Sequence, residues 1–167
     1  KYHAGAELEF HVVKLDGGKI VPYDSGAIQT QHGFDISQNF LQEYIVALKA
    51  VNVPILKAHV EGGRGQFEIV LKHQEGLKGA DCIATSRDAI QAVSRRNGYI
   101  GTFVPKLGND FWGSGMHIHN SLTDTRSGKN LFADPDDDRG LGVSQTCYYY
   151  LGGILKHTYA LSAIVSP

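Results

Sequence analysis

An α+β fold built on a mixed or antiparallel sheet is what this sequence predicts, and three observations carry that expectation. Segments that alternate polar and apolar residues recur along the chain. Segments of helical period are interleaved with them. Neighbouring strand segments are joined by Gly-rich turns far too short for a parallel crossover.

The elements follow in order. Ala4 to Leu15, "AGAELEFHVVKL", places Leu8, Phe10 and Val12 on one strand face and Glu7, Glu9 and His11 on the other. "DGGK" turns the chain, and "KIVPY" returns as a short strand with Pro22 at its end. From Ser37, read as an N-cap, "SQNFLQEYIVALKAVN" repeats apolar residues at Phe40, Leu41, Tyr44, Ile45 and Leu48, a helical spacing. "VPILKAHVEGGRGQFEIVLKH" reads as a hairpin around Gly62 to Gly65. A second helix spans "GLKGADCIATSRDAIQAVSRRNG" and stops at Gly98. "YIGTFVPK" and "GMHIHNSL" are strands separated by the turn-rich "LGNDFWGSG". After a polar loop, "GVSQTCYYYLGGILKHTYALSAIVS" reads as one helix weakened at Gly152-Gly153.

Composition excludes several classes of function. The 167 residues carry a formal charge of −1, with no basic track for nucleic acid or an anionic membrane surface. The acidic run from Asp134 to Asp138, broken by Pro135, reads as a solvated loop. No apolar run is long enough to span a bilayer. Cys82 and Cys147 form no C-x-x-C pair and no disulfide framework, which points to a reducing, cytoplasmic compartment.

Chemistry-bearing residues concentrate on three strands. Glu7 and Glu9 are two apart on the first; Glu61 precedes the Gly-rich turn and Glu68 follows it; His117, His119 and Ser121 alternate on the last, with Met116, Ile118 and Leu122 on its other face. Four carboxylates and two imidazoles can converge on one sheet surface, a donor set suited to Mg²⁺ or Mn²⁺. Without a cation such carboxylates would repel. Each piece also has a plainer reading: an E-x-E as a solvated face, an H-x-H as a hydrogen-bonding pair, "GGRGQ" as a hairpin turn lacking the residues of a P-loop. His3, His11, His32, His59, His73 and His157 read as surface or core histidines, and Trp112 and Tyr148 to Tyr150 as packing groups.

The order "ELEF … HVEGGRGQFEI … KGAD … GTFVPKL … GSGMHIHNSL … LGGILKHTYALSAIVSP" resembles the catalytic domain of the glutamine synthetase family, closest to its prokaryotic type and the related γ-glutamyl ligases. That resemblance implies a curved, mainly antiparallel sheet with outer helices, of which 1–167 is one incomplete part. A small N-terminal domain and the rest of the catalytic domain are expected outside it, and the chain alone is expected to be inactive. It implies that Glu9, Glu61 and Glu68 hold one divalent ion and Glu7 and His117 a second, with His119 and Ser121 at ATP and Gly113 at the acid substrate. The implied reaction is ATP-dependent amide formation from glutamate, or a related acid, and ammonia or an amine, through an acyl phosphate, in a homo-oligomeric ring. Trp112 departs from the family's usual Asn, and an indole cannot supply an amide's paired donor and acceptor. This implies a divergent member acting on another acid or amine. A non-catalytic structural or regulatory relative is the alternative, and a metal hydrolase using the same cluster on water is a third.

Overall fold

The computed structural model describes residues 1–24 and 31–165. Contacts divide them into a larger unit, Ala4–His119, and a smaller one made of Lys1–His3 with the residues from Asn120 onward.

The larger unit is organised by one long strand. β1 (Tyr2–Asp16) pairs antiparallel with β2 (Lys19–Pro22), reached through the Asp16–Lys19 turn as expected. It also pairs antiparallel with β4 (Gln66–Leu71), which pairs antiparallel with β3 (Ile55–Val60), giving the order β2-β1-β4-β3. Three further strands join β1: β5 (Gln74–Glu75), β6 (Ile100–Thr102) and β7 (Met116–Leu122). The β1–β2, β1–β4, β1–β6 and β3–β4 pairings are antiparallel, and helices cover one face of the sheet, so the α+β expectation holds.

The alternation in β1 places its faces as read. Leu8, Phe10 and Val12 are buried, and in register Leu8 faces Ile69 and Phe10 faces Phe67 on β4. Helices α1 (Gln31–Ala50) and α2 (Gly76–Arg96) cover this face, contributing Phe40, Leu41, Tyr44 and Leu48, and Cys82, Ile90 and Val93. Phe10 sits at the centre, edge-on to Tyr44 at 5.4 Å and stacked on Phe67 at 5.8 Å. The Tyr44 hydroxyl and Ser94 Oγ share a buried hydrogen bond of 2.8 Å.

Three boundaries differ from the expectation. α1 begins at Gln31, so Ser37 is a fully buried interior residue and caps nothing. The helical period extends upstream through Gly33, Ser37 and Phe40, and Ser37 points to the core because it lies one turn before Leu41 and two turns before Tyr44. The segment "YIGTFVPK" contributes only Ile100–Thr102 to the sheet, bounded by Pro105. β7 buries neither face in its first half: Met116 and Ile118 are 41% and 43% exposed, and His117 and His119 on the other face are exposed as well. The stop of α2 is as read, with Asn97 as C-cap and Gly98 following at φ +74°.

In the smaller unit, one long helix was expected and two are found: α3 (Gln145–Lys156) and α4 (Thr158–Val165). The interruption falls at His157, past the glycine pair, where Thr158 Oγ1 takes the Ile154 carbonyl at 3.0 Å. Ser144 caps α3, its hydroxyl accepting from Cys147 N at 3.2 Å. Within the acidic loop Asp137 is more than solvated. Its carboxylate accepts from the N–H groups of Arg139, Leu141 and Val143 and from the Tyr148 hydroxyl at 2.8 Å. Desolvation raises the Asp137 carboxyl, and those hydrogen bonds together outweigh it and bring it below the usual range.

The β3–β4 turn depends on Gly65. Its φ is +67°, and a Cβ there would lie 2.7 Å from the Val12 carbonyl oxygen and 3.0 Å from Tyr23 N. Gly65→Ala is therefore expected to destabilise the fold by about 2–4 kcal/mol, from left-handed strain plus a backbone clash. Chemical denaturation would show this as a lowered midpoint with an unchanged slope.

Candidate active site

The face of the sheet opposite the core is polar because β1 and β4 alternate. Core contacts put Leu8 on Ile69 and Phe10 on Phe67, which leaves Glu9 directly across from Glu68 and His11 across from Gln66. On the other side of β4, His59 of β3 lies across from Glu68. Glu9, Glu68 and His59 therefore form a row over three adjacent strands.

His59 was read as an ordinary histidine; the structure places it among the carboxylates. Its Nε2 donates to Glu61 Oε1 at 2.9 Å and lies 3.7 Å from Glu68 Oε1. His59, Glu61 and Glu68 each offer a donor atom within 4.8 Å of the others, a cluster with the geometry to hold a metal ion. The signal available in the sequence was the H-x-E spacing, which puts both side chains on one face of the strand. Glu68 is almost wholly buried, and desolvation raises its carboxyl above the usual range. His59 opposes that shift, while the charges of Glu7, Glu61 and Glu9 reinforce it.

Glu7 has a different environment. It accepts hydrogen bonds from His119 Nε2 at 2.8 Å and from His117 Nδ1 at 3.0 Å. Those two bonds hold its carboxyl below the ordinary value, against a smaller desolvation effect. The same contact with Glu7 raises the His117 imidazole. Ser121, half-buried further along β7, lies in the smaller unit.

Behind the carboxylates sits a neutral hub, the glutamine two residues before Glu68 on the same strand face. Gln66, 2% exposed, accepts from Gly63 N at 2.9 Å through Oε1. Its Nε2 donates to the Gly113 carbonyl at 3.0 Å, to Ser114 Oγ at 3.1 Å and, more weakly, to Glu9 Oε2 at 3.4 Å. Gly115 N also donates to Glu9 Oε2, at 2.9 Å. His11 is fully buried, shares a 3.1 Å hydrogen bond with Ser114 Oγ through Nδ1, and leaves Nε2 without a hydrogen-bond partner. Thus one amide fastens the 112–115 loop to the Gly-rich turn, and one imidazole fastens it to β1. Trp112, expected to be a packing group, is 60% exposed, and its indole covers Gly62.

Fold and face together define a helix-backed antiparallel-sheet protein whose carboxylate and imidazole groups suit hard divalent cations. The chain belongs to the glutamine synthetase family: the family model described as "Glutamine synthetase, catalytic domain" matches residues 1–167. A glutamine synthetase of Halobacterium salinarum is 37% identical over 98% of this chain. A glutamate–methylamine ligase of Methyloversatilis universalis is 29% identical over 99% of it. The chain spans only 36% and 38% of those two proteins. A GmaS structure, described as an ADP complex, superposes with a TM-score of 0.88 at 30% identity, covering 99% of this chain and 38% of that one. Among the described residues no helix is long and apolar enough to cross a membrane.

Burial holds the His11 imidazole below its ordinary value. A histidine kept neutral in the fold costs nothing above its unfolded pKa. Below about pH 6.5 the unfolded chain takes up the proton first, and stability falls. His11→Gln is expected to lessen the loss of unfolding free energy between neutral and mildly acidic pH relative to wild type. Parallel denaturation curves across that range would measure it, and identical slopes would refute it.

Proposed function

We propose that the full-length protein carrying this chain is an ATP-dependent carboxylate–amine ligase that forms a γ-glutamyl amide. The observation that carries the reading is the row in which Glu9 faces Glu68 across β1 and β4, with Glu61, Glu7 and the imidazoles of His59 and His117 around it. Like charges directly opposed on a sheet are unfavourable, so the row fits a site completed by cations. Support also comes from the names of the relatives, which are glutamine synthetases and a glutamate–methylamine ligase.

In this proposal Glu9, Glu61 and Glu68 hold one divalent ion, Mg²⁺ or Mn²⁺, and Glu7 and His117 hold a second. Such ions, when bound, neutralise nucleotide phosphate charge and orient the acceptor oxygen. The chain's own residues position the reactants. His119 and Ser121 face ATP, and the Gly113 backbone, fixed by Gln66, faces the acid. ATP gives its γ-phosphoryl group to the acid's side-chain carboxylate, releasing ADP. The amine nitrogen then attacks the acyl carbon, the carbon–oxygen bond to phosphate breaks, phosphate leaves, and the nitrogen loses a proton. The remaining parts of the catalytic domain, an N-terminal domain, a homo-oligomeric ring and a cytoplasmic setting belong to the same proposal.

Glu68→Gln in the full-length protein separates the electrostatic part from the catalytic part. Without metal, removing the charge opposite Glu9 is expected to raise stability by on the order of 0.5 kcal/mol. The thermal shift induced by Mn²⁺ should shrink, and ATP turnover with glutamate and amines should fall by roughly 100-fold or more. Metal-dependent turnover left unchanged by both Glu68→Gln and His117→Ala would sink the site assignment.

A further inference from the structure

His59 and Glu61 stand either side of Val60, the last residue of β3, and project from one face. The main chain there is tightly held. His59 lies in register with Glu68, and Glu61 N donates to the Gln66 carbonyl at 2.9 Å, carrying the β3–β4 pairing one residue further. The Glu61 side chain is then held at both oxygens. Oε1 accepts from His59 Nε2 at 2.9 Å, and Oε2 accepts from Gly62 N at 3.0 Å. A carboxylate has about four lone-pair sites, so about half of them stay open on Glu61. Glu68 takes no share of this donor, because its Oε1 lies 3.7 Å from His59 Nε2, beyond hydrogen-bond length.

Distance alone would admit His59 to a ligand set with Glu61 and Glu68. Its second nitrogen argues otherwise. An imidazole that ligates a metal through one nitrogen carries a proton on the other and donates it to a carboxylate, carbonyl or water. Nδ1 of His59 is closed off from solvent and has no hydrogen-bond partner among the described residues. Ligation through Nε2 would bury an unmatched N–H there and would give up the bond to Glu61. An unmatched buried donor costs more than an average hydrogen bond contributes, and a bond to a carboxylate is about twice as strong as a neutral one. The His59 side chain is only 13% exposed, so this balance is set inside the chain and not by surface that further residues would cover.

We propose that His59 is a positioning residue for the ion assigned to Glu9, Glu61 and Glu68: it stays outside the ligand set and, by donating to Oε1, holds the Glu61 carboxylate ready for the cation. The proposal rests on the ligand assignment made in the ligase reading above. Within it, that ion meets protein oxygen alone, a donor set for Mg²⁺ or Mn²⁺. Nitrogen enters only at the second ion, through His117.

The test measures Mn²⁺ binding to the full-length protein through loss of the free-ion EPR signal, without ATP or substrate. His59→Gln and His59→Asn both introduce an amide, but only the longer side chain brings an N–H to the place of Nε2. His59→Asn is expected to weaken binding at one site by roughly 10–100-fold, and His59→Gln to recover most of that loss. Both are compared where metal-free denaturation curves show them folded, which separates the orientation of Glu61 from folding. Equal Mn²⁺ affinities in the two variants, whether as in wild type or weakened alike, overturn the proposal. A second readout tests the ligand set directly. With His117→Ala in place, bound Mn²⁺ should show no nitrogen hyperfine coupling in pulsed EPR that His59→Gln then removes. Such a coupling would make His59 a ligand and overturn the proposal. Glu68→Gln tells the two readings apart. If it leaves Mn²⁺ binding intact, the ligand assignment fails and the proposal falls with it. If it weakens binding while the two His59 variants bind alike, the positioning role alone fails.

Discussion

The pairing register of β1 and β4 is the constraint on which both faces of the sheet depend. Phe10 on Phe67 and Leu8 on Ile69 complete the core, with Tyr44 closing edge-on over Phe10. Because side chains alternate, a slip of one residue would turn every one of them outward. Burying each such side chain contributes about 1.5–3 kcal/mol. Opposing two carboxylates across a sheet costs well under that, of the order of 0.2–1 kcal/mol. The core therefore decides the register, and the facing of Glu9 and Glu68 follows from it. A site of this kind needs no separate folding signal, because packing on one face aligns the charges on the other.

Within the polar face, the hydrogen bonds distinguish two environments. Glu7 is served by two imidazoles and held ionised, whereas Glu68 is buried among carboxylates and its charge is disfavoured. His59 sits on the Glu61–Glu68 side and His117 and His119 on the Glu7 side. The proposed division of ligands between two ions follows the same line. One face thus holds two carboxylate environments, set by burial for Glu68 and by imidazole donors for Glu7.

What could be read from the sequence was what period and spacing encode. The two-residue period of "ELEFHV" was enough to sort Leu8 and Phe10 from Glu7 and Glu9, because alternation is a property of the strand itself. The stop at Gly98 was readable for a similar reason, since a left-handed residue after a helix strongly favours glycine. Ser37 misled because a capping residue and a small residue packed under a helix look alike until the residues upstream are placed. His59 was passed over because its role comes from lying across from Glu68, which is a fact of register between strands. β5 and the break at His157 are likewise fixed by contacts and local hydrogen bonds that leave no period in the chain.

Gln66 shows why a neutral residue stands at the centre of so acidic a face. Its amide carries both an acceptor and a donor, and both are used: Oε1 takes the Gly63 N–H while Nε2 reaches Gly113, Ser114 and Glu9. A glutamate of the same shape could still accept from Gly63. It would have no proton for the Gly113 carbonyl, and its charge would stand against Glu9. A buried donor and acceptor left unmatched here would cost more than the bonds themselves contribute. The amide thus joins two glycine turns from distant parts of the chain to one carboxylate. The 112–115 loop, and with it the indole on Gly62, takes its position from that junction.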